Sequence, residues 1–310
     1  MAYRQPIPPD FVFLLTLWAK FLVLKKYLSL IKFSHTIFAM PFALLGFVLG
    51  TQAVASNLSW RLLFLVVLCM VFARSAAMAF NRYLDREIDS KNPRTAVREI
   101  PAGVISPRAA LAFTIISAGS FVATTWFLNF NCFMLSWVAL TVVLGYSYTK
   151  RFTPLCHFVL GLGLALAPIG GYLAVTGYFE VQPILYSFAV FHWVSGFDII
   201  YALQDESFDR EHKLKSVPAY LGKVKALRLA KILHLICSVV IVFATWQMAQ
   251  ANEQLGWLSF FADAFFCALL FYQHTLVKPD DLRKVNLAFF TTNGVASLIF
   301  CGTVILDFYA

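Results

Sequence analysis

Eight of the sixteen acidic residues of this 310-residue sequence lie in two short stretches, NRYLDREIDSKNPRT (81–95) and DIIYALQDESFDREHKLKSVP (198–218). On a helix, side chains three or four positions apart share one face. The acids of each stretch have this spacing, so each stretch predicts a stripe of carboxylates on one helix face. The first stripe continues back into the preceding apolar segment and consists of Arg74, Met78, Asn81, Asp85 and Asp89. The second stripe consists of Asp198, Asp205 and Asp209.

These carboxylates are suited to holding a divalent cation, because facing carboxylates repel one another unless a cation lies between them. Magnesium is typically held by one or two carboxylates, while substrate phosphates and water complete its octahedral shell. Asn81 can add a neutral carbonyl oxygen. Neighbouring basic residues could bind the phosphate oxygens that the metal leaves unpaired. These residues are Arg82, Arg86, Arg94, Lys150, Arg151 and Lys213.

Each acidic stretch follows an apolar segment directly, so the predicted diphosphate is expected to carry an oily tail. An allylic diphosphate can lose its diphosphate and leave a resonance-stabilised carbocation. Magnesium neutralises the charge on the leaving group, aromatic faces stabilise the cation, and a cavity in the bilayer excludes water. An aromatic acceptor would then attack. Asp198, two helical turns deeper than Asp205, could orient the acceptor hydroxyl, take its proton, or serve only as a structural hydrogen-bond partner.

The composition places these motifs in a membrane. The sequence is 60% hydrophobic and 13% charged, whereas a soluble domain is about 45–50% apolar and about 25% charged. A soluble protein is therefore excluded. A membrane-crossing helix needs about 20 mostly apolar residues. That length predicts an all-α membrane protein with nine transmembrane helices around a central cavity, at 36–55, 61–82, 109–127, 131–148, 155–176, 183–203, 229–249, 256–276 and 286–307.

The segment before the first span is predicted to lie on the membrane rather than cross it. Phe11–Leu24 is apolar but short and is interrupted by Lys20, which favours an interfacial helix. We therefore divide the chain into a cytoplasmic or interfacial segment, 1–35, and a membrane domain, 36–310. The motif loops of that domain are 81–108 and 198–225. The two aspartate pairs are 120 residues apart, which predicts two repeated four-helix units.

The basic residues orient these spans. Of the 25 Lys and Arg residues, 23 lie on one side of the predicted membrane, and only Arg61 and Arg74 do not. By the positive-inside rule, the N-terminus and both acidic motifs are cytoplasmic. The net charge of +9 is explained by this topology, and no nucleic-acid partner is needed. We expect a multi-pass protein of a bacterial inner membrane.

Other polar residues allow more than one interpretation. Arg74 could contact the acceptor or simply neutralise the acidic stripe, and His35 could line the cavity or pack between helices. The histidines at positions 157, 192, 234 and 274 share no metal-ligand spacing and are interpreted as structural. The six cysteines contain no CxxC pair, so neither a zinc site nor a disulfide framework is indicated.

The patterns NRxxDxxxDxxNPRT and DxxYAxQDxxxDxxxxxxSVP, with YSYTKR (146–151), resemble the UbiA superfamily of intramembrane prenyltransferases over nearly the whole chain. The segment YALQDESFD is most similar to the 4-hydroxybenzoate polyprenyltransferase branch. The resemblance implies two magnesium ions, held by Asn81, Asp85, Asp89, Asp205 and Asp209. It also implies that Tyr148, Lys150 and Arg151 cap the diphosphate and that Asp198 lies near the acceptor. Where members of the family read NDxxD, this sequence has Arg82 in second place.

The sequence thus predicts an enzyme that transfers a polyprenyl chain from its diphosphate to an aromatic acid in quinone biosynthesis. Asp85, Asp198 and Asp205 are the candidate catalytic residues. The acceptor is expected to be 4-hydroxybenzoate, with a hydroxynaphthoate of menaquinone biosynthesis as the alternative. Either acceptor carries a carboxylate that calls for a nearby cation, for which Arg74, Lys150 and Arg151 are candidates. A cation-coupled transporter is the alternative of another class, because duplicated helical units also build transporters.

Overall fold

The computed structural model describes residues 25–32, 36, 38–252 and 255–310. Within these residues the fold is helical and contains no β-strand. The long helices are α1 (Met40–Ala53), α2 (Trp60–Leu84), α3 (Pro107–Trp126), α4 (Phe130–Thr149), α5 (Cys156–Thr176), α6 (Val181–Ala202), α7 (Lys223–Ala251), α8 (Trp257–Leu276) and α9 (Asn293–Asp307). Short helices lie within the two acidic motifs at Arg86–Lys91 and Glu206–Glu211, and a third, Val217–Leu221, begins at the end of the second motif. A 3₁₀ turn, Leu203–Asp205, ends α6, and a π-helix, Leu287–Thr292, precedes α9.

Three of the long helices begin at serine or asparagine side chains that accept a hydrogen bond from the first turn. Ser59 accepts from the amide of Leu62 at the start of α2, and Asn129 accepts from Cys132 at the start of α4. Ser106 caps α3 in the same way, and Pro107 follows it in the first helical position. Serine and asparagine satisfy amides that otherwise lack a partner, and proline at this position loses no bond. Polar residues therefore set these helix boundaries.

Seven helical segments of the described chain are long and apolar enough to cross a membrane, and this supports the predicted multi-pass fold. They are the segments that contain α2, α3, α4, α5, α6, α7 and α9. Helix α1 is apolar but has only 14 residues, and α8 has 20 residues but carries Asp263 and Gln273 in buried positions. The nine crossings and the repeated four-helix units stay predictions.

Close helix contacts build one wall of the site. A Cβ atom on Gly171 of α5 would lie 2.0 Å from the carbonyl oxygen of Ala43 in α1, so these two backbones touch. Likewise, Gly161 of α5 meets the hydroxyl of Ser195, and Gly196 of α6 meets the ring of His234 in α7. Small residues allow this approach of helix backbones in a membrane. Helices α5, α6 and α7 therefore pack tightly together.

Helix α6 is also anchored by a buried tryptophan. Trp193 lies against Phe42 of α1 and Phe266 of α8, with ring centroids 5.5 Å apart in both pairs. Its indole N–H donates to the side-chain oxygen of Asn293 at 2.9 Å. Buried tryptophans usually need such an acceptor. Because Asp198 follows five residues later on the same helix, this anchor fixes the depth of the second acidic motif.

The described end of the N-terminal segment packs against the first motif loop. Leu30 is completely buried beside Ile100 and Ile105, and the Tyr27 ring lies 4.9 Å from that of Phe113. Ser29 donates a hydrogen bond to Glu99 in the same loop. The predicted interfacial stretch Phe11–Leu24 and His35 lie outside the described residues. Residues 25–31 therefore help to hold the loop that follows the first acidic motif.

Candidate active site

Both acidic stripes border one cavity of about 540 Å³. Residues of α2 and the first motif loop lie on one side, and residues of α6 and the second motif lie on the other. All of the following predicted site residues line it: Arg74, Asn81, Arg82, Asp85, Asp89, Lys150, Asp198, Asp205 and Asp209. The deeper wall is largely apolar and includes Met70, Leu135, Leu164 and Phe121. The cavity therefore combines a charged mouth with an apolar interior.

Asp85 is the most enclosed carboxylate of the site, with 2% of its surface exposed. It is the residue at which α2 ends. Its Oδ2 lies 2.7 Å from Lys150 Nζ and accepts a hydrogen bond from the amide of Asn81 at 3.2 Å, while Oδ1 accepts from Arg151 at 3.0 Å. Burying a carboxylate is costly unless it is paired. Two cations and one amide supply that pairing here.

Asp89 follows in the short helix Arg86–Lys91, where it is also buried. Arg98 Nη1 donates to both of its carboxylate oxygens, at 2.7 and 2.8 Å. Thr95 donates to the backbone carbonyl of Asp89 at 3.0 Å. Because the residue before a proline is disfavoured in helical conformation, Pro93 prevents this helix from continuing. The chain then turns back and brings Arg98 to Asp89.

Arg94 links the two acidic motifs. Its Nε donates to Asp205 Oδ1 at 2.9 Å, its Nη2 donates to Asp205 Oδ2, and its Nη1 donates to the Tyr201 hydroxyl at 3.1 Å. Asn92 donates to the same Asp205 carboxylate at 3.1 Å. Burial lowers the pKa of Arg94, but the hydrogen bond and charge of Asp205 raise this pKa above its ordinary value overall. Arg94 is therefore a permanent cation at the mouth.

The fourth carboxylate, Asp209, is held by a neutral group. The hydroxyl of Ser216 donates to Asp209 Oδ2 at 2.7 Å. The neighbouring amide of Lys215 donates to the carbonyl of Lys150 at 2.7 Å. The segment after the second motif is thus attached both to that motif and to the turn that carries Lys150 and Arg151.

Asp198 lies deeper in the cavity and contacts a histidine of α5. Its Oδ2 is 2.6 Å from His157 Nδ1, and His157 Nε2 accepts the backbone N–H of Val217 at 3.3 Å. His157 is buried and lines the cavity. The sequence favours a purely structural role for this histidine, because no spacing rule pairs it with Asp198, which is 41 residues further along the chain.

Two arginines line the cavity and each has a buried Nε atom without a hydrogen-bond partner among the described residues. The Nε atoms of Arg74 and Arg82 are both inaccessible to solvent and have no hydrogen-bond partner among the described residues. A buried donor without a partner is costly. Both residues line the cavity, so each is available to an anionic ligand there.

The structure does not bring Tyr148 and Lys213 to the cavity. Tyr148 is 46% exposed, and its ring packs against Phe80 with centroids 5.8 Å apart. Lys213 is exposed in the loop after the second motif. Tyr146 lines the cavity instead, because it lies four residues before Lys150 and shares its helix face, whereas Tyr148 lies two residues away. That spacing was available in the sequence.

The donor set fits magnesium. Among the described residues, no group of three or more His, Cys, Asp or Glu side chains could hold a metal ion by itself. Magnesium does not need one, because substrate phosphates and water commonly provide most of its ligands. Asn81 and Asp85 offer oxygen ligands on one wall, and Asp205 and Asp209 offer them on the other. The space between the walls is where a bound diphosphate would complete the shell.

Comparisons with known proteins agree with this architecture. The UbiA prenyltransferase family matches residues 39–295. A 4-hydroxybenzoate octaprenyltransferase of Aliivibrio fischeri is 30% identical over 244 residues, which cover 78% of this chain and 82% of the relative. A solved UbiA homologue from Aeropyrum pernix K1 without ligand superposes with a TM-score of 0.78 at 30% identity, over 88% of this chain and 98% of the homologue.

A second solved structure, a UbiA homologue from Archaeoglobus fulgidus bound to GPP and Mg²⁺, has the same fold. Its TM-score is 0.69 at 23% identity, and the match covers 92% of this chain and all of the homologue. The resemblance inferred from the two aspartate motifs is confirmed by the family match, which extends over most of the sequence. The chain belongs to the UbiA prenyltransferase family.

Proposed function

We propose that this protein transfers a polyprenyl chain from its diphosphate to 4-hydroxybenzoate, with magnesium, in quinone biosynthesis. The observation that carries the proposal is the single cavity between the two acidic stripes, which is charged at its mouth and apolar in its depth. A diphosphate with a long hydrocarbon tail has the same division of polarity. The A. fischeri relative, a 4-hydroxybenzoate octaprenyltransferase, supports this choice of acceptor.

The donor diphosphate would lie between Asn81, Asp85 and Asp89 on one side and Asp205 and Asp209 on the other. Two magnesium ions held there would neutralise the growing negative charge of the leaving group. The A. fulgidus homologue, which has the same fold and was solved bound to GPP and Mg²⁺, supports a role for magnesium with a prenyl diphosphate. With a divalent cation at these carboxylates, the basic side chains that now pair with them would be released.

Those released cations are the groups that would bind the diphosphate oxygens. Lys150 and Arg151 pair with Asp85, Arg98 pairs with Asp89, and Arg94 pairs with Asp205. Arginine can form two parallel hydrogen bonds to a phosphate group. Arg82, buried beside them with an unsatisfied Nε, would contribute a further donor.

The acceptor would lie deeper, between Arg74 and Asp198. Its carboxylate would pair with the Arg74 guanidinium, which has an unsatisfied nitrogen in the cavity wall. Its hydroxyl would donate to Asp198. Tyr146, which also lines the cavity, would lie beside the ring. A hydroxynaphthoate carries the same two groups and is the alternative acceptor.

The reaction would form one carbon–carbon bond. The allylic C–O bond breaks, and its electron pair leaves with the diphosphate. The ring carbon next to the acceptor hydroxyl then bonds to the allylic carbon, and the proton on that ring carbon passes to the released diphosphate, which restores aromaticity. Asp198 would polarise the hydroxyl and so make the ring more nucleophilic. The apolar cavity would keep water from the carbocation.

The same proposal includes an orientation in the membrane. We place the prenyltransferase domain at residues 36–310, with nine crossings in two repeated four-helix units. Both motif loops and the N-terminus would face the cytoplasm of a bacterium, as the distribution of basic residues predicts. A transporter is not supported, because the acids are paired with Arg and Lys at one end of the cavity and not at its apolar depth.

Competition between the two acceptors tests this proposal. Purified protein, magnesium and a polyprenyl diphosphate would be incubated with 4-hydroxybenzoate and the hydroxynaphthoate in equal amounts, and the products measured by mass spectrometry. We expect prenylated 4-hydroxybenzoate as the main product. A prenylated naphthoate as the main product would favour the alternative acceptor. No prenylated product from either would refute the function.

A further inference from the structure

His157 joins the acceptor side of the cavity to the loop after the second motif. It is 3% exposed and lies between the Asp198 carboxylate and the backbone of Val217. Both of its ring nitrogens are therefore used, one by a side chain of α6 and the other by a main-chain group. A ring that is fixed at both nitrogens has one orientation.

The two contacts determine which nitrogen carries the proton. Val217 offers a backbone N–H, which can only donate, so Nε2 of His157 must be the acceptor. The proton of the neutral ring is then on Nδ1, which donates to Asp198 Oδ2 at 2.6 Å. The hydrogen bond made by one ring nitrogen commonly sets the tautomer of the other in this way.

This arrangement leaves one carboxylate oxygen of Asp198 for a ligand. Oδ2 is occupied by His157, whereas Oδ1 has no hydrogen-bond partner within the described part of the chain. The Asp198 side chain is 20% exposed and borders the cavity. His157 thereby prevents rotation of the carboxylate and keeps a single oxygen available.

The loop that holds His157 also holds the diphosphate side of the site. Ser216, next to Val217, donates to Asp209, and Lys215 donates through its amide to the carbonyl of Lys150. The three consecutive residues Lys215, Ser216 and Val217 thus contact a candidate metal ligand, the turn with the candidate diphosphate lysine, and His157.

We propose that His157 is a positioning residue that orients Asp198 toward the hydroxyl of the aromatic acceptor. The hydrogen bond from Val217 fixes the His157 ring, and the loop that carries Val217 also holds Asp209 through Ser216. This inference rests on the proposed function, because it assigns Asp198 to the acceptor. It predicts that loss of His157 impairs use of the acceptor while binding of the donor diphosphate is retained.

Two substitutions separate positioning from packing. His157→Asn keeps a nitrogen donor on Cγ, where Nδ1 is attached, and so keeps the bond to Asp198. His157→Ala removes it. His192→Asn is a matched control, because His192 is also a buried histidine but bonds to the Phe188 carbonyl of its own helix and does not line the cavity.

The assay uses geranyl diphosphate, magnesium and the acceptor that the wild-type protein prenylates. In His157→Ala, we expect kcat/KM for the acceptor to fall by about 10- to 100-fold, because a misplaced reacting group costs this much. The KM for geranyl diphosphate should stay within about twofold. His157→Asn should recover most of the loss, and His192→Asn should match the wild type.

A second readout follows the fate of the carbocation. When the acceptor is misoriented, water attacks the allylic carbon, forms a new C–O bond and releases a proton, which gives geraniol. The ratio of geraniol to prenylated acceptor should therefore rise in His157→Ala. An unchanged ratio, a KM for geranyl diphosphate that rises as much as that for the acceptor, or a His157→Asn variant no better than His157→Ala would each overturn the inference.

If His157→Ala does not fold, His157→Gln replaces it, because its amide reaches the position of Nε2 and not that of Nδ1. His157→Gln should then be impaired while His157→Asn is not, and equal activity of the two would overturn the inference. A wild-type protein that forms no prenylated product would instead refute the proposed function itself.

Discussion

At the scale of single residues, the Asp85 carboxylate is bound by three neighbouring side chains. Asn81, Lys150 and Arg151 all contact its carboxylate, which is almost fully buried. A carboxylate in this position needs its partners for folding and would need to exchange some of them when magnesium and diphosphate bind. The proposed reaction therefore requires the negative charge of Asp85 rather than the shape of its side chain.

Replacing that charge tests its role. In Asp85→Asn the shape is kept but the proposed metal ligand becomes neutral, so we expect kcat to fall by about 100-fold or more, which corresponds to about 3 kcal/mol or more of lost electrostatic stabilisation. Steady-state prenyl transfer by the purified variant measures this. Asp281→Asn is the control, because Asp281 is an exposed carboxylate that pairs with Arg283 outside the cavity. Equal activity of the two variants would exclude Asp85 from the reaction.

Arg74 provides a second test, on the acceptor. With 4-hydroxybenzoate as the acceptor, Arg74→Gln should raise the acceptor KM by about 10-fold or more and leave the diphosphate KM unchanged, because a charge-assisted bond to the carboxylate is lost. An acceptor without a carboxylate, such as phenol, should be used equally by both proteins. If Arg74→Gln impairs phenol as much as the hydroxybenzoate, Arg74 does not bind the carboxylate.

At the scale of helices, the site depends on the close packing of α5 against α1 and α6. Gly171 contacts the backbone of α1, which cannot move aside as a flexible side chain can. Gly161 makes the corresponding contact with α6. These two contacts fix α5, which carries His157 at its cytoplasmic end in the proposed topology.

A methyl group at this contact should be destabilising. Gly171→Ala would place Cβ 2.0 Å from the Ala43 carbonyl oxygen, and overpacking of this kind typically costs about 1–3 kcal/mol. We expect a lower unfolding temperature in detergent, measured by intrinsic fluorescence. Gly119→Ala in α3 is the control, since nothing lies within 4 Å of the added atom, and it should not lower the unfolding temperature. Equal behaviour of the two variants would contradict the contact.

The helices and the acidic stripes could be predicted from the sequence. The ion pairs that join the carboxylates of these stripes to basic residues elsewhere in the chain could be predicted only in part. A period of three to four residues identifies the face that carries Asn81, Asp85 and Asp89, because that geometry is local. Arg98 reaches Asp89 only after the chain reverses beyond Pro93, and no periodicity describes that turn. His157 reaches Asp198 through the packing of two helices, which depends on Gly161 and Ser195 rather than on any motif.

Tyr148 and Tyr146 show a choice that the motif alone does not make. The resemblance to the family placed YSYTKR at the diphosphate but did not say which tyrosine points inward. On α4, Tyr146 and Lys150 are four residues apart and both line the cavity, whereas Tyr148 is exposed. Helix geometry applied to the motif would have favoured Tyr146.

At the scale of the whole molecule, large apolar side chains cover the outside of the helix bundle and the paired charges lie inside it. Large apolar side chains such as Trp60, Phe64 and Phe271 are exposed on the outside of the bundle, as is expected of surface in contact with lipid. The paired acids and bases lie inside, at one end of the cavity. A lipid substrate could thus keep its tail in an apolar environment while its head group is bound.

The orientation of this arrangement can be measured directly. Cysteine substitutions at Lys213, in the second motif loop, and at Tyr178, between α5 and α6, should lie on opposite sides of the membrane. A membrane-impermeant maleimide should label Tyr178→Cys in intact cells and label Lys213→Cys only after permeabilisation. The unsubstituted protein gives the background from its six native cysteines. Labelling of both positions from the same side would contradict the proposed topology.

The most direct test of the site is calorimetric binding of a prenyl diphosphate in the presence and absence of Mg²⁺. The titration would compare the wild-type protein with the double variant Asp85→Asn/Asp205→Asn. The two-stripe site predicts tight binding to the wild type only with Mg²⁺, and a loss of at least about 100-fold in affinity in the double variant. Equally tight binding without Mg²⁺, or to the double variant, would contradict it.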